Sequence, residues 1–265
     1  MRWGAEAIWE AIVPLLPGFT VEVLPEIGST NTELMRRARA GELEPALLVA
    51  ERQTAGRGRL GRIWRSQTDG TVDSLTFSFG VPLAPADWSG LSLAVGVAVA
   101  ESLHPQAGLK WPNDLWVSTP AGFRKLGGIL IETASFGDTR YAVIGIGINI
   151  APNDGDGMST PPAALQDLLP GVDAPQALAR LALPLAQTVK AFEHTGFAPF
   201  QARFNARDVL LGRAVTLSDG TSGTAHGAAP DGAMLVHTAA GMKHVTSAEI
   251  SVRPTPSNPS ASSEA

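Results

Sequence analysis

The chain has 265 residues, no cysteine and a formal net charge of −5. That length holds one large domain plus a small one, with enough core to need no staples. The missing cysteines exclude disulfides, cysteine-ligated zinc and a thiol nucleophile, and the acidic balance argues against a general nucleic-acid surface.

Residues 1–20 predict a short amphipathic helix ending at Pro14 or Pro17. Glu6 and Glu10 interrupt its apolar face, and no cleavage-site pattern follows, so no signal peptide is expected. Val21 to Leu24 alternates like a strand. Thr30 and Glu33 fit a capping box at the head of a helix carrying Leu34 and Ala38. Segments 46–51 and 74–80 read as strands, and 88–103 as a helix apolar on nearly every face, hence buried. The run from Leu91 to Ala100 is about half of what a bilayer span needs. Lys110 to Val117 reads as one strand, with Pro112 marking its end or an edge. Residues 126–134 and 139–150 read as two apolar strands joined at Phe136-Gly137-Asp138.

Residues 151–174 form a long Pro/Gly/Asp loop. Its Asn153–Gly157 stretch lacks the distal glutamate of a calcium loop. Helices are expected over 175–195, kinked at Pro184, and over 197–207. From residue 210 the character changes to short β runs: 214–217, 223–226, 233–237, 243–246 and 250–252. Glycine turns separate them, as in a small SH3-like barrel. The division is a unit over 1–208, a β unit over 209–253 and a disordered tail over 254–265. A soluble, cytoplasmic protein is expected.

Residues 56–65 read GRGRLGRIWR, with three glycines and four arginines in ten positions. Over 51–65, Arg52, Arg57, Arg59, Arg62 and Arg65 stand against Glu51 alone. Glycines let backbone approach a ligand closely, and arginines offer forked donors to phosphate or carboxylate oxygens. The alternative is a charged surface loop. Gly56, Gly58 and Gly61 also spell a dinucleotide fingerprint. That fingerprint must open a helix, and the residues after Gly61 have no helical apolar period.

Four further motifs carry chemistry. Ser29-Thr30-Asn31 at a helix N-terminus is either an ordinary cap or a polar-ligand site. Lys110-Trp111-Pro112-Asn113-Asp114-Leu115 is either turn chemistry or a place for a base, a sugar hydroxyl and hydrated Mg²⁺. Lys125 enters an otherwise apolar strand before Gly127 and Gly128. It either snorkels or takes a bound anion as the partner that a buried ammonium needs. In Gly145-Ile146-Gly147-Ile148-Asn149 the glycines mark close approach of another group, and Asn149 needs hydrogen-bond partners.

Taken in order, Ser29-Thr30-Asn31, GRGRLGRIW, KWPNDL, KLGGILIE and GIGIN resemble biotin protein ligases over roughly residues 21–255. The resemblance implies an α+β catalytic domain: a mixed sheet with helices, similar to class II aminoacyl-tRNA synthetase folds, plus a small C-terminal SH3-like barrel. It implies activation of biotin by ATP and Mg²⁺, then transfer to a lysine of a biotin carboxyl carrier domain of acetyl-CoA carboxylase.

The resemblance also implies residue roles. Lys125, Arg57 and Arg59 are the catalytic cations. Ser29, Thr30, Asn31, Gln53, Arg57, Gly58, Arg59, Lys125 and Gly128 bind biotin. Arg62, Trp64, Lys110, Asn113, Asp114, Lys125 and Asn149 bind ATP, with Asp114 near Mg²⁺. Two stretches depart from the family pattern: Ser66 to Leu75, where a Gly/Asn turn is usual, and the insert Val117 to Arg124.

Two rivals are a lipoate ligase, which lacks the GRGRxG signature, and a biotin-responsive DNA-binding repressor. Ser29 arrives after 28 residues, whereas a winged-helix domain needs about 50 or more, so no operator binding is expected; with its longest apolar run too short for a bilayer span, no membrane partner is expected either. An exposed strand edge either mediates a homodimer or is covered, and the sequence leaves both open.

Overall fold

A computed structural model describes residues 2–64, 72–153, 155, 160–246 and 252–254. The main sheet has seven strands: β1 (Thr20–Ile27), β2 (Ala46–Gln53), β3 (Ser74–Pro82), β4 (Gly108–Lys110), β5 (Asp114–Thr119), β6 (Gly122–Phe136) and β7 (Thr139–Asn149). Their spatial order is β1-β2-β3-β7-β6-β5-β4. Only β1 and β2 pair in parallel, and α2 (Thr30–Arg39) makes the crossover that such a pair requires. The other helices are α1 (Ala5–Ile12), α3 (Leu91–Leu103), α4 (Ala174–Thr195) and α5 (Gln201–Asn205). No helix among the described residues is long and apolar enough to cross a membrane.

Side chains alternate across a strand, so each central strand has two faces with different work. On one face Leu75, Phe77 and Phe79 of β3 stand opposite Ile148, Ile146 and Ile144 of β7. They join Val95 and Val97 of α3 and Leu178 and Leu185 of α4 in the main core. Burying each such large side chain contributes roughly 1.5–3 kcal/mol. On the other face Ser74, Thr76 and Ser78 stand opposite Asn149, Gly147 and Gly145. The centre of that face is small and polar, and α2 packs beside it through a minor core of Leu34, Met35, Ala38, Leu48, Tyr141 and Val143.

Three local expectations change. Lys110 to Val117 is not one strand but the hairpin β4–β5, because Pro112 at its turn has no N–H to extend a ladder. The Thr30–Glu33 capping box is absent. Ser29 is the N-cap, its hydroxyl accepting from Thr32 N at 3.4 Å, while Glu33 pairs with Arg36 and Arg37. The second C-terminal helix shortens to a 3-10 turn at Ala198–Phe200 followed by α5. By contrast α4 continues through Pro184 as one helical element, and the β6–β7 hairpin turns where expected.

The C-terminal region is a separate antiparallel sheet of β8 (Ala214–Leu217), β9 (Ser222–Ala228), β10 (Met234–Thr238), β11 (Gly241–Val245) and β12 (Val252–Pro254). Its strand order is β11-β10-β9-β8-β12, an SH3-like arrangement. It is docked on the main sheet's β4 edge. Leu109 N donates to Arg207 O at 2.8 Å, Val209 N to Leu109 O at 2.9 Å, and Trp111 Nε1 to Gly232 O at 3.0 Å. The expected tail over 254–265 lies outside the described residues from 255 on, as do Arg65, 66–71 of the divergent loop, 154 and 156–159 of the long loop, and Ile250 with Ser251.

Candidate functional site

The small, polar face of the central strands carries the site. Gly145 leaves room for Asn31, since a Cβ there would lie 2.2 Å from Asn31 Oδ1. Two residues along the same face, a Cβ on Gly147 would lie 2.5 Å from the Trp64 indole ring. The glycines of GIGIN therefore do mark close approach, with Asn31 and Trp64 as the approaching groups.

Around Asn31 is a compact polar pocket. Thr30 donates from its backbone N and its hydroxyl to Gln53 Oε1, at 2.8 and 3.2 Å. Ser78 Oγ lies 2.7 Å from Thr30 Oγ1 and donates to Asn31 Oδ1 at 2.6 Å. Asn31 Nδ2 donates to Leu130 O at 3.2 Å and to Glu132 Oε2 at 3.0 Å. Ser29, Thr30 and Asn31 are all buried. The Gln53 amide is oriented by Thr30 through its oxygen, and among the described residues its Nε2 has no hydrogen-bond acceptor.

The arginine loop folds back on itself at the edge of this pocket. Trp64 N donates to Gly56 O at 2.9 Å and Gly58 N to Arg62 O at 2.7 Å. Between them Arg59–Gly61 makes a 3-10 turn, and no α-helix opens there, which disposes of the dinucleotide fingerprint. A Cβ on Gly56 would lie 2.4 Å from Trp64 O, so this glycine is required by close packing. Arg57 Nη2 lies 3.3 Å from Glu132 Oε1, and Nη1 donates to Thr32 Oγ1 at 3.5 Å.

A charged cluster lies further along the same sheet. Lys125 Nζ is 2.7 Å from Asp114 Oδ1. Of the two readings of Lys125, a snorkelling lysine or one that takes a bound anion, neither names its partner in the structure, a carboxylate that β5 supplies because Asp114 pairs in register with Gly128, three residues from Lys125. Arg59 Nη1 donates to Asn113 Oδ1 at 3.2 Å. Asn113 Nδ2 donates to Ile129 O at 2.8 Å, which fixes that amide's orientation. Burial pulls the Arg59 guanidinium pKa below its ordinary value; the Asp114 carboxylate opposes this and the like charge of Arg62 adds to it.

The remaining expected residues divide. Gly128 borders the cluster, 3.4 Å from Lys125 Nζ if given a Cβ. Asn149 Nδ2 is committed to Lys125 O at 3.2 Å and Ala163 O at 3.1 Å, so it braces the strand that presents Lys125. Among the described residues Trp64 Nε1 is buried without a hydrogen-bond partner, which costs about 1–3 kcal/mol unless a ligand acceptor reaches it. Lys110 is nearly buried, its ammonium 5.1 Å from the Trp116 ring centroid, whereas Arg62 is exposed near Arg59. Lys110 also acts on Asp208, in the segment that leads to the C-terminal sheet. Burial raises the Asp208 carboxyl to about 6, with the Leu210 N–H and Lys110 opposing.

Two residues of the site were not singled out from sequence. Ser78 hides in a run of large apolar residues, where only its period-two neighbours Thr76 and Ser74 betray a polar face. Glu132 closes the KLGGILIE motif, but nothing local says that it meets Asn31 and Arg57. Among the described residues no group of three or more His, Cys, Asp or Glu could hold a metal ion.

Comparison with known proteins agrees with this geometry. The profile of the biotin/lipoate A/B protein ligase family matches residues 23–149, and that of the biotin protein ligase C-terminal domain matches residues 210–253. The bifunctional ligase/repressor BirA of Escherichia coli K12 is 35% identical over 253 residues, covering 91% of this chain and 77% of that protein. The biotin–[acetyl-CoA-carboxylase] ligase of Paracoccus denitrificans is 32% identical over 241 residues, covering 86% of this chain and 98% of that protein. The structure of biotin protein ligase from Aquifex aeolicus in complex with biotin and ATP aligns with a TM-score of 0.74 at 29% identity, covering 89% of this chain and 99% of that one. With its pocket and its charged cluster inside the matched regions, the chain belongs to the biotin/lipoate A/B protein ligase family.

Proposed function

We infer that the chain is a biotin protein ligase: an ATP-dependent enzyme that converts biotin to biotinyl-5′-AMP and passes the biotinyl group to a lysine of a carrier domain. One observation carries this reading. A polar, donor-rich pocket at Ser29, Thr30 and Gln53 adjoins the cationic cluster of Arg59 and Lys125 on one face of the sheet.

The first step joins two anions. A carboxylate oxygen attacks the α-phosphorus of ATP, the P–O bond to pyrophosphate breaks, and a mixed anhydride results. At about 4 Å two unit charges repel by roughly 4 kcal/mol at an effective dielectric of 20, so charge cancellation and positioning dominate the catalysis. Lys125 serves the carboxylate–phosphate junction, and Arg59 and Arg57 close over it. In the second step the acceptor amine attacks the acyl carbon, AMP leaves, and the amine gives up a proton.

The ureido ring needs donors for its carbonyl and acceptors for its N–H groups. Gln53 Nε2 and the Ser29 hydroxyl supply the donors. Asn31 acts chiefly by shaping the pocket, since its amide is engaged within the protein. Trp64, Asn113 and Asn149 form the adenine side, with Arg62 and Lys110 toward the pyrophosphate. Mg²⁺ enters as part of the nucleotide substrate. Asp114, paired with Lys125, is the carboxylate that would face it, adding negative charge on the metal's side of the nucleotide.

The carrier is a biotin carboxyl carrier domain of acetyl-CoA carboxylase, met in the cytoplasm. Biotin-dependent exchange of pyrophosphate into ATP tests the assignment. Exchange with biotin and none with lipoate is expected; exchange that ignores biotin overturns it. The surface charge is acidic overall, so no salt-resistant complex with operator DNA should appear in a gel-shift assay. The sedimentation profile with and without biotin decides whether a homodimer forms.

A further inference from the structure

Glu132 bridges the two halves of the site. It lies on β6 with its side chain 26% exposed, and its two carboxylate oxygens hold different elements. Oε2 accepts from Asn31 Nδ2 at 3.0 Å, inside the pocket. Oε1 lies 3.3 Å from Arg57 Nη2, on the loop. The other contact of the Arg57 guanidinium among the described residues is a long one, to Thr32 Oγ1 at 3.5 Å. Glu132 is thus the anion that Arg57 holds.

We propose that Glu132 is a positioning residue that holds Arg57 back until an anionic ligand displaces it, and so weakens the preference for anions that Arg57 would otherwise give. The proposal rests on the biotin-ligase reading, and its physical basis is competition between two anions. For Arg57 to engage a substrate carboxylate or acyl phosphate, its guanidinium must exchange one carboxylate for another. A charged ligand offsets the loss of the Glu132 contact. An uncharged ligand of the same shape fills the pocket but leaves Arg57 on Glu132. The loop therefore closes over ligands that can be activated and stays parked for those that cannot. Glu132 also anchors Asn31, so pocket and loop answer to one side chain. A half-exposed arginine–carboxylate pair shifts an equilibrium by up to about fivefold, which sets the size of the expected effect.

The test compares biotin with biotinamide, which lacks the charge, by calorimetry on the full chain. Glu132→Gln keeps an acceptor for Asn31 and removes the anion that holds Arg57. The preference for biotin over biotinamide should rise about threefold to fivefold in this variant. Arg57→Gln, at an exposed position that the fold does not need, should lower that preference, and adding Glu132→Gln to it should change nothing further. A merely structural Glu132 would alter both ligands equally and leave the ratio fixed; an unchanged or reduced ratio in Glu132→Gln overturns the proposal. If the unaltered chain binds neither ligand, the biotin reading itself fails, which is a different result. Should Glu132→Gln unfold, the ratio in Arg57→Gln still decides, because a preference unaffected there shows that Arg57 does not sense the charge.

Discussion

The Lys125 ammonium sits 2.7 Å from the Asp114 carboxylate, so the lysine of the charged cluster is paired within the protein. This pairing gives a lysine in an apolar strand a partner for its ammonium. It also means that Asp114 would face incoming anions if Lys125 were removed.

Lys125→Ala should therefore lower biotin-dependent pyrophosphate exchange by about a hundredfold or more, the order expected for losing a charge-stabilising group. Circular dichroism should show the fold intact, because the side chain is 30% exposed and fills no core. Adding Asp114→Asn should recover part of the biotin affinity by removing the stranded carboxylate. Equal exchange rates in Lys125→Ala and the unaltered chain would remove Lys125 from the mechanism.

Arg59→Gly should hurt retention of the adenylate more than its formation. Arg59 stands in the middle of a glycine-rich turn and is held by Asn113, while Lys125 remains to cancel charge in the first step. The off-rate of pre-formed biotinyl-AMP should rise about tenfold or more, as for loss of a charge-assisted hydrogen bond, and biotin should appear on lysines of a bystander protein. An unchanged off-rate with clean bystanders would mean that Arg59 is no clamp.

Gly145→Ala and Gly147→Ala should separate the two substrates. A methyl at 145 meets Asn31 Oδ1, and one at 147 meets the Trp64 ring, so each intrudes on one half of the site. Overpacking of this kind costs about 1–3 kcal/mol. On that scale Gly145→Ala should weaken biotin about tenfold with little change in KM for ATP, and Gly147→Ala should do the reverse. The same effect on both substrates from either variant would contradict the division of the face.

Asp208 should give the folded chain a pH-dependent stability. Burial raises its pKa from 3.8 to about 6, so between these values the native state binds more protons than the unfolded one. Stability accordingly falls as pH rises from about 4 to 6 and is level above. The loss is at most about 3 kcal/mol, the equivalent of that shift. Asp208→Asn, whose side chain stays neutral, should flatten this part of the Tm-against-pH curve. Parallel curves for the two proteins would show that the carboxyl is not protonated in the native state at about pH 5.

Much of the architecture was legible in local sequence. The apolar run of α3, the Phe136-Gly137-Asp138 turn between β6 and β7, and the change to short β runs past residue 210 are all signals carried by neighbours. The glycines of GIGIN could be read as close-approach positions, because a strand gives up packing and backbone entropy at a glycine unless another group needs the space. The Lys110–Val117 hairpin was not legible. Pro112 breaks a strand or turns a hairpin with equal ease, and only the return of the chain along Gly108–Lys110 distinguishes them.

The period-two alternation that makes β3 and β7 apolar on one face and small on the other is written in their own residues, as are the motifs of the family. Which groups meet across that small face is a property of the assembled sheet. Ser78 reaches Asn31 from 47 residues away, Glu132 reaches Asn31 from 101, and Asp114 finds Lys125 through the register of β5 on β6. Propensity acts over a few residues, whereas register is settled by packing the whole sheet against α3 and α4. A partner for a half-buried charge is therefore chosen by the core on the opposite face, which no window of sequence contains.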